Sequence, residues 1–139
     1  MAYYYSTGGN EKCKPPYGDY VLKFWSCFDF GLRGLGFWAA GQYYGDPYYR
    51  KMNKKAYDTA LVYPDENGVT LSRRLLAWKR GIQDYYMLKM TEAKLKSKGD
   101  TAAIEKFRKN VKLVIEYPNE LKYAEDMRQY CRELLAGKP

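Results

Sequence analysis

The chain has 139 residues, enough for one domain with its own hydrophobic core. Apolar residues make up 46% and charged residues 29%, an ordinary globular balance that excludes a largely disordered chain. The net charge of +8 comes without a polybasic block, so we expect no nucleic-acid partner. No apolar stretch is long enough to cross a membrane, and no membrane partner is expected.

The rare residue types restrict the chemistry further. There are no histidines, which removes the commonest metal ligand and the usual general base. The three cysteines, Cys13, Cys27 and Cys131, form no CxxC motif, so we expect neither a disulfide framework nor a zinc site. Cys27 and Cys131 fall on apolar faces of predicted helices and are interpreted as small core residues. The sequence therefore predicts no metal and no cofactor.

The first 40 residues predict a strand, a helix and a second strand. Ala2–Ser6 is a short aromatic run, and Leu35–Ala40 is a short apolar run. Between them, apolar residues recur at helical spacing, namely Tyr17, Tyr20, Val21, Phe24, Trp25 and Phe28. A strand–helix–strand order predicts two parallel strands joined by a right-handed crossover.

The rest of the chain predicts a turn followed by three helices. "AYDTALVYP" and "NGVTL" flank a turn at "DENG". Ser72 is a candidate N-cap for a helix to about Lys98, Asp100 can cap a second helix, and Pro118 separates it from a third. The predicted apolar stripes are Leu75, Trp78, Ile82, Tyr85 and Leu88; then Ile104, Phe107, Val111 and Val114 or Ile115; then Leu121, Ala124, Met127, Cys131 and Leu134. We predict a mostly helical α/β chain, with a mixed region at 1–69 and a helical region at 70–139.

Two segments carry a resemblance to a known family. "GLGFWAAGQYYGDP", followed by "DTALVYPDENGVTLSRRLLAWKRGIQDYYML", resembles the C-terminal end of glycoside hydrolase family 123 and its uncharacterised relatives. The matching helix positions are Ser72, Arg74, Arg80, Gly81, Ile82, Asp84 and Tyr85. Glycine in the middle of a helix costs about 1 kcal/mol relative to alanine. Gly81 is therefore predicted to lie where another element crosses closely.

The resemblance implies the last two βα units of a TIM-barrel-like (β/α)8 fold, followed by a C-terminal three-helix extension. A whole barrel takes about 250 residues, so this chain would hold only part of one. In that family the catalytic pair acts on N-acetylhexosaminides and lies on an earlier strand. No residue here is expected to be catalytic, and the abrupt start "MAYYYST" suggests that a missing N-terminal barrel portion is a partner.

The resemblance also implies where a sugar would bind. Barrel sites lie at the carboxyl ends of the strands. Trp38 and Tyr5 are predicted at such ends, and Gln42, Tyr43 and Asp46 follow in the loop. An aromatic floor with amide and carboxylate hydrogen-bonding groups suits a sugar ring. These five residues form the candidate carbohydrate-binding set, although Trp38 could equally belong to a barrel core.

The leading function is thus one wall of a carbohydrate site, non-catalytic in this chain alone. The alternative is a small α/β interaction protein that binds a protein partner or a polyanion through an aromatic and basic surface. Asp84 resembles an acid catalyst, but Arg80 four residues earlier favours a structural ion pair. Neither predicted strand contains a charged residue that would prevent it from pairing with another chain. We therefore expect the isolated chain to form a homo-oligomer, a dimer or a higher assembly, through Ala2–Ser6 or Leu35–Ala40, or else to aggregate.

Overall fold

A computed structural model describes residues 3–7, 17–38, 40 and 61–137. The described elements are mostly helical with two small sheets, which confirms the predicted mixed, mostly helical class. In chain order they are β1 (Tyr3–Thr7), a π-helical turn (Tyr17–Val21), α1 (Leu22–Asp29), β2 (Gly34–Trp38), β3 (Val62–Asp65), β4 (Gly68–Leu71), α2 (Arg73–Ser97), α3 (Thr101–Glu116) and α4 (Leu121–Leu135).

The first sheet is a parallel pair. β1 and β2 run side by side from the pair Tyr3 and Gly34 to the pair Thr7 and Trp38. Parallel neighbours need a crossover connection, and α1 lies in the segment that joins these two. The predicted strand–helix–strand order and parallel pairing are confirmed. Both strands are five residues long, and β2 begins one residue earlier than predicted.

The second sheet is the predicted extended segment around a turn. β3 and β4 pair antiparallel, with Val62 opposite Leu71 and Asp65 opposite Gly68. Gly68 has a φ of 138°, which only glycine adopts readily, and this lets the chain reverse after Asn67. The Thr70 hydroxyl donates to the Asp65 carboxylate at 2.9 Å across the hairpin. The hairpin spans residue 69, where the two predicted regions meet.

The three predicted C-terminal helices are confirmed, and local caps explain where they begin. The Ser72 hydroxyl accepts from the Leu75 amide at 3.1 Å and donates to the Leu61 carbonyl at 2.6 Å, so it starts α2 and fastens it to the hairpin. The Asp100 carboxylate accepts from the Ala103 amide at 2.9 Å at the start of α3. Gly99, with φ of 69°, makes the turn between the two helices.

Helix α1 lies at the centre of the described core. In the π-helical turn that precedes it, the Tyr20 ring meets the Phe37 ring of β2 with centroids 5.7 Å apart. In α1 itself, Phe24 contacts Trp78 of α2 at 4.8 Å, and Phe28 contacts Phe107 of α3 at 5.9 Å. Helices α2 and α3 therefore pack against α1, and the π-helical turn before α1 packs against β2.

The predicted stripe of α2 was partly wrong. Ile82 is 38% exposed, and the buried face consists of Arg74, Ala77, Gly81, Asp84, Leu88, Thr91, Glu92 and Leu95. Half of these buried residues are polar. A stripe drawn through the apolar residues alone therefore lies partly on the solvent-exposed side of α2. On α4 the buried stripe begins at Ala124, and Leu121 in the first turn is 54% exposed. The α3 stripe is confirmed at Phe107, Val111 and Val114.

Gly81 lies where another element crosses, as predicted. A Cβ atom added to Gly81 would overlap the ring of Phe24, whose Cγ would lie only 3.0 Å away. The missing side chain therefore lets α1 and α2 approach each other closely.

We predict that Gly81→Leu lowers the free energy of unfolding by about 3 kcal/mol, since the ring of Phe24 must move out of a packed core. Denaturant unfolding measures the change. Gly18→Ala is the control, because nothing lies within 4 Å of a Cβ at Gly18. The loss at Gly81 should shrink in a Phe24→Leu background, which makes room for the new side chain. Equal stability of the Gly81→Leu and original chains would contradict the close crossing.

Candidate functional site

The candidate carbohydrate site is at the carboxyl ends of the parallel strands. Trp38 is the last residue of β2 and pairs with Thr7, the last residue of β1. Tyr5 pairs with Gly36 and lies two positions before the end of β1. The two strand ends are thus adjacent. The prediction that Tyr5 lies at a strand end was wrong, because β1 continues through Ser6 to Thr7. The side chains of Tyr5 and Trp38, and all of Gln42, Tyr43 and Asp46, lie outside the described residues.

β2 is held in place by aromatic packing one residue before Trp38. The Phe37 ring lies 5.7 Å from the Tyr20 ring and 5.2 Å from the Trp78 ring, centroid to centroid. The Lys23 ammonium lies 5.8 Å from the centroid of the same Phe37 ring. Aromatic pairs of this kind contribute about 0.5–1.5 kcal/mol each beyond the area they bury. The backbone position of Trp38 is therefore fixed by helices α1 and α2.

The buried carboxylate of Asp84 holds helices α1, α2 and α4 together. The Asp84 side chain on α2 is 3% exposed. It accepts a hydrogen bond from the Trp25 indole N–H at 3.0 Å. It also accepts two hydrogen bonds from Arg128 on α4. One comes from Nε at 3.0 Å and the other from Nη2 at 2.6 Å. We call Trp25, Asp84 and Arg128 the buried triad.

Two further groups surround the buried triad. The predicted ion pair between Arg80 and Asp84 is confirmed, with Nε and Oδ1 3.3 Å apart. Glu125 pairs with Arg128 from the exposed side. The Arg128 guanidinium lies 5.7 Å from the centroid of the Tyr17 ring in the π-helical turn. One buried charge pair therefore links the π-helical turn, α1, α2 and α4.

The electrostatics of the triad favour a structural role. Burial alone would lower the pKa of Arg128, but the hydrogen bonds and charge of Asp84 outweigh it and raise that pKa further above its ordinary value. Burial raises the pKa of the Tyr17 hydroxyl, and the neighbouring Arg128 opposes part of this rise. Both Asp84 oxygens are occupied by donors. Asp84 is thus placed to hold helices together and is sealed from any substrate.

A second charged cluster fastens α3 to α1 and α2. Glu92 pairs with Arg108 at 2.5 Å and with Lys96 at 3.0 Å. The Arg108 guanidinium also lies 4.7 Å from the centroid of the Phe28 ring. Its Nη1 donates a hydrogen bond to the backbone carbonyl of Asp29 at 3.4 Å. Burial tends to raise the pKa of Glu92, but the hydrogen bonds and charges of Lys96 and Arg108 lower it below 4.5.

Sequence reasoning missed Arg128, Glu92 and Arg108. Arg128 directly follows Met127, a member of the apolar stripe of α4. This position beside a buried stripe was the signal that could have identified Arg128 as a buried charge. Glu92 follows the buried Thr91 in the same way. Their partners are distant in the chain, since Arg128 and Asp84 are 44 residues apart. Helical periodicity alone therefore gave no means of pairing them.

Several other chemistries are absent from the part of the chain that the structure describes. Cys27 and Cys131 are buried, and burial raises the pKa of both thiols above the ordinary value of 9.0, so neither is an activated nucleophile. No cluster of acidic or cysteine side chains among the described residues could hold a metal ion. None of the described helices combines the length and the apolar character needed to span a membrane.

A groove opens between α3 and α4. Its volume is about 540 Å³, and aromatic residues contribute much of its wall. The residues that line it are Ala103, Lys106, Phe107, Asn110, Leu113, Tyr123, Asp126, Met127 and Tyr130. Tyr123 and Tyr130 are 42% and 37% exposed. The groove therefore presents an apolar surface with one cationic and one anionic side chain.

Comparison of the chain with protein-family models, with curated proteins and with solved structures gave no match.

We predict that Asp84→Asn lowers the free energy of unfolding by about 3–5 kcal/mol, because Arg128 would remain buried without its counter-charge. Denaturant unfolding followed by helical circular dichroism measures the loss. Glu125→Gln is the matched control: it also removes a carboxylate partner of Arg128, but from a side chain that is 59% exposed, so it should cost less than about 1 kcal/mol. Similar small losses for both variants would refute the central role of Asp84.

We also predict an acid-sensitive contribution from Glu92. Its pKa is lower in the folded chain than in the unfolded chain, so its ion pairs stabilise the fold above about pH 4.5. This stability is lost as the pH falls through the folded value. Unfolding free energies measured from about pH 6 to pH 3 should therefore decline more steeply for the original chain than for Glu92→Gln. Parallel curves would show that Glu92 titrates alike in both states.

Proposed function

We propose that this chain supplies one wall of a carbohydrate site in a glycoside hydrolase-like (β/α)8 barrel and is not catalytic by itself. The observation that carries the proposal is the parallel pair β1 and β2, whose carboxyl ends lie side by side with Trp38 opposite Thr7. In barrel enzymes this end of the strands bears the site. The resemblance of "GFW" and "SRRLLAWKRGIQDYYML" to glycoside hydrolase family 123 adds the substrate class, N-acetylhexosaminides.

The packing around β2 supports this role. A sugar-stacking aromatic must be held rigidly to be useful, and rigid placement needs a supporting layer. Phe37 precedes Trp38 and is packed between Tyr20 and Trp78. The buried triad fixes α1 against α2 and α4 behind them. Trp38 is the proposed stacking floor, and Tyr5, Gln42, Tyr43 and Asp46 are the proposed flanking groups.

The proposal also assigns a partner. One parallel pair cannot enclose a sugar, and among the described strands β1 and β2 pair only with each other. The remaining strands would come from an N-terminal barrel portion, which would bring the two catalytic groups. Hydrolysis by a carboxyl pair or by an assisting acetamido group needs no metal or cofactor, and none is proposed here.

We predict that Trp38→Ala abolishes the binding of N-acetylhexosamine oligosaccharides and leaves the helical circular dichroism unchanged. Binding is measured by ligand-observed NMR on the full chain, alone and mixed with a separately expressed N-terminal barrel portion. Trp38→Phe is the control, because it keeps an aromatic face and should retain part of the binding. Joint loss of binding and helicity would place Trp38 in the core instead.

The same chain should not hydrolyse chromogenic N-acetylhexosaminides, because the proposal assigns it no catalytic residue. Robust turnover by the pure chain would overturn the proposal.

A second candidate function is an interaction module for a protein or polyanion. Exposed apolar side chains favour it, notably Phe30 just after α1 at 74%, and Tyr86 and Met90 on α2 at 62% and 54%. With a net charge of +8, this surface would attract acidic partners. Binding to heparin or RNA that falls steeply with added salt would support this second function.

A further inference from the structure

A pocket lies between helices α1 and α2 and the start of β2, at the opposite end of that strand from Trp38. Its volume is about 220 Å³. Four aromatic side chains line it, namely Phe24 from α1 and Trp78, Tyr85 and Tyr86 from α2. We call it the aromatic pocket. An apolar cavity of about 150 Å³ holds one benzene ring, so this pocket has room for a ring with a short substituent.

The walls of the aromatic pocket are held by contacts within the chain. The rings of Phe24 and Trp78 meet edge to face with centroids 4.8 Å apart. The rings of Tyr85 and Tyr86 meet in the same way at 5.6 Å. A pocket whose walls are already ordered loses less conformational entropy when a ligand binds. The pocket is therefore formed before any ligand arrives.

Arg33 also lines the aromatic pocket, directly before β2. Its neighbour Leu32 is tied on both sides. The Leu32 amide donates to the Cys27 carbonyl at 2.8 Å, and the Leu32 carbonyl accepts from the Tyr85 hydroxyl at 2.8 Å. The backbone that carries Arg33 is thus fastened to α1 and to α2, and the guanidinium is kept at the pocket.

The charge at the aromatic pocket is positive. None of the described residues that line it is acidic. Likewise, no acidic side chain in the described part of the chain pairs with Arg33. Burial raises the pKa of the Tyr85 hydroxyl, and the charge of Arg33 opposes part of this rise, so that charge acts on the pocket wall. The Lys89 ammonium adds a second cation, 5.9 Å from the centroid of the Tyr85 ring.

We propose that the aromatic pocket binds a small aromatic carboxylate, with its ring against the aromatic walls and its carboxylate paired with Arg33. Aromatic walls suit the faces and edges of one ring, and a guanidinium binds a carboxylate through two parallel hydrogen bonds. A sugar suits this pocket less, because the Tyr85 hydroxyl already donates to the Leu32 carbonyl. The inference goes beyond the carbohydrate site proposed at Trp38 and does not depend on it.

Fluorine NMR on the full chain tests the proposal, with 4-fluorophenylacetate as the probe. The acid should bind with a Kd of about 1 mM or tighter, as expected for a ligand of this size. The uncharged analogue 2-(4-fluorophenyl)ethanol should bind about tenfold more weakly. Arg33→Gln should weaken binding of the acid by about tenfold and leave that of the alcohol unchanged. Arg73→Gln is the matched control, since Arg73 is exposed and does not line the pocket.

A second variant locates the probe. Tyr86 is 62% exposed, and Tyr86→Ala should weaken binding of the acid and the alcohol by the same factor, because it removes one wall of the pocket. Helical circular dichroism establishes that each variant folds. An acid affinity that Tyr86→Ala leaves unchanged overturns the proposal, because the probe then binds elsewhere.

Four other outcomes also overturn the proposal. The first is the absence of saturable binding of the acid up to about 10 mM. The second is equal affinity for the acid and the alcohol, since Arg33 would then take no part. Equal losses in Arg33→Gln and Arg73→Gln would assign the binding to net charge. Displacement of the probe by N-acetylglucosamine would show that the pocket is a sugar site instead.

Discussion

The carboxylate of Asp84 is the constraint on which the described structure depends. Moving an ion out of water costs several kcal/mol, so a buried aspartate is tolerated only when its partners are all in place. Those partners come from two other helices, Trp25 on α1 and Arg128 on α4. Apolar side chains pack in many nearly equivalent ways, whereas this carboxylate accepts only one mutual arrangement of α1, α2 and α4. Because Tyr20 of the π-helical turn and Trp78 of α2 both pack on Phe37 of β2, the same carboxylate also constrains the layer that supports this strand.

The features that the sequence predicts well are those with local causes. Ser72 and Asp100 cap helices by bonding amides three residues away, so their pattern is visible in the sequence. The parallel strand pair follows from element order alone. The buried triad is different, since Trp25 and Asp84 are 59 residues apart and no periodicity connects them. Polar residues on a buried face, such as Asp84 and Glu92, also misled the search for an apolar stripe.

For the candidate site, the sequence predicts that Trp38 and Tyr5 lie at strand ends. In the structure Trp38 ends β2, but Tyr5 lies two positions before the end of β1. The loop residues Gln42, Tyr43 and Asp46 remain a prediction. What sequence patterns could not supply is the supporting layer: Phe37, Tyr20 and Trp78 meet through tertiary packing. The described residues thus combine a parallel strand pair, which bears the proposed carbohydrate site, with a charged interior that fixes the arrangement of the helices.

The π-helical turn at Tyr17–Val21 has a consequence for how this chain can vary in length. Such a turn accommodates extra backbone within an otherwise α-helical path, and it brings Tyr17 beside Arg128. Loss of one residue here would turn the preceding chain by about 100° around the helix axis. Tyr17 would then leave Arg128. An insertion or deletion in this turn would therefore break the contact of Tyr17 with Arg128 even if every side chain were kept, so the turn constrains the number of residues as well as their identity.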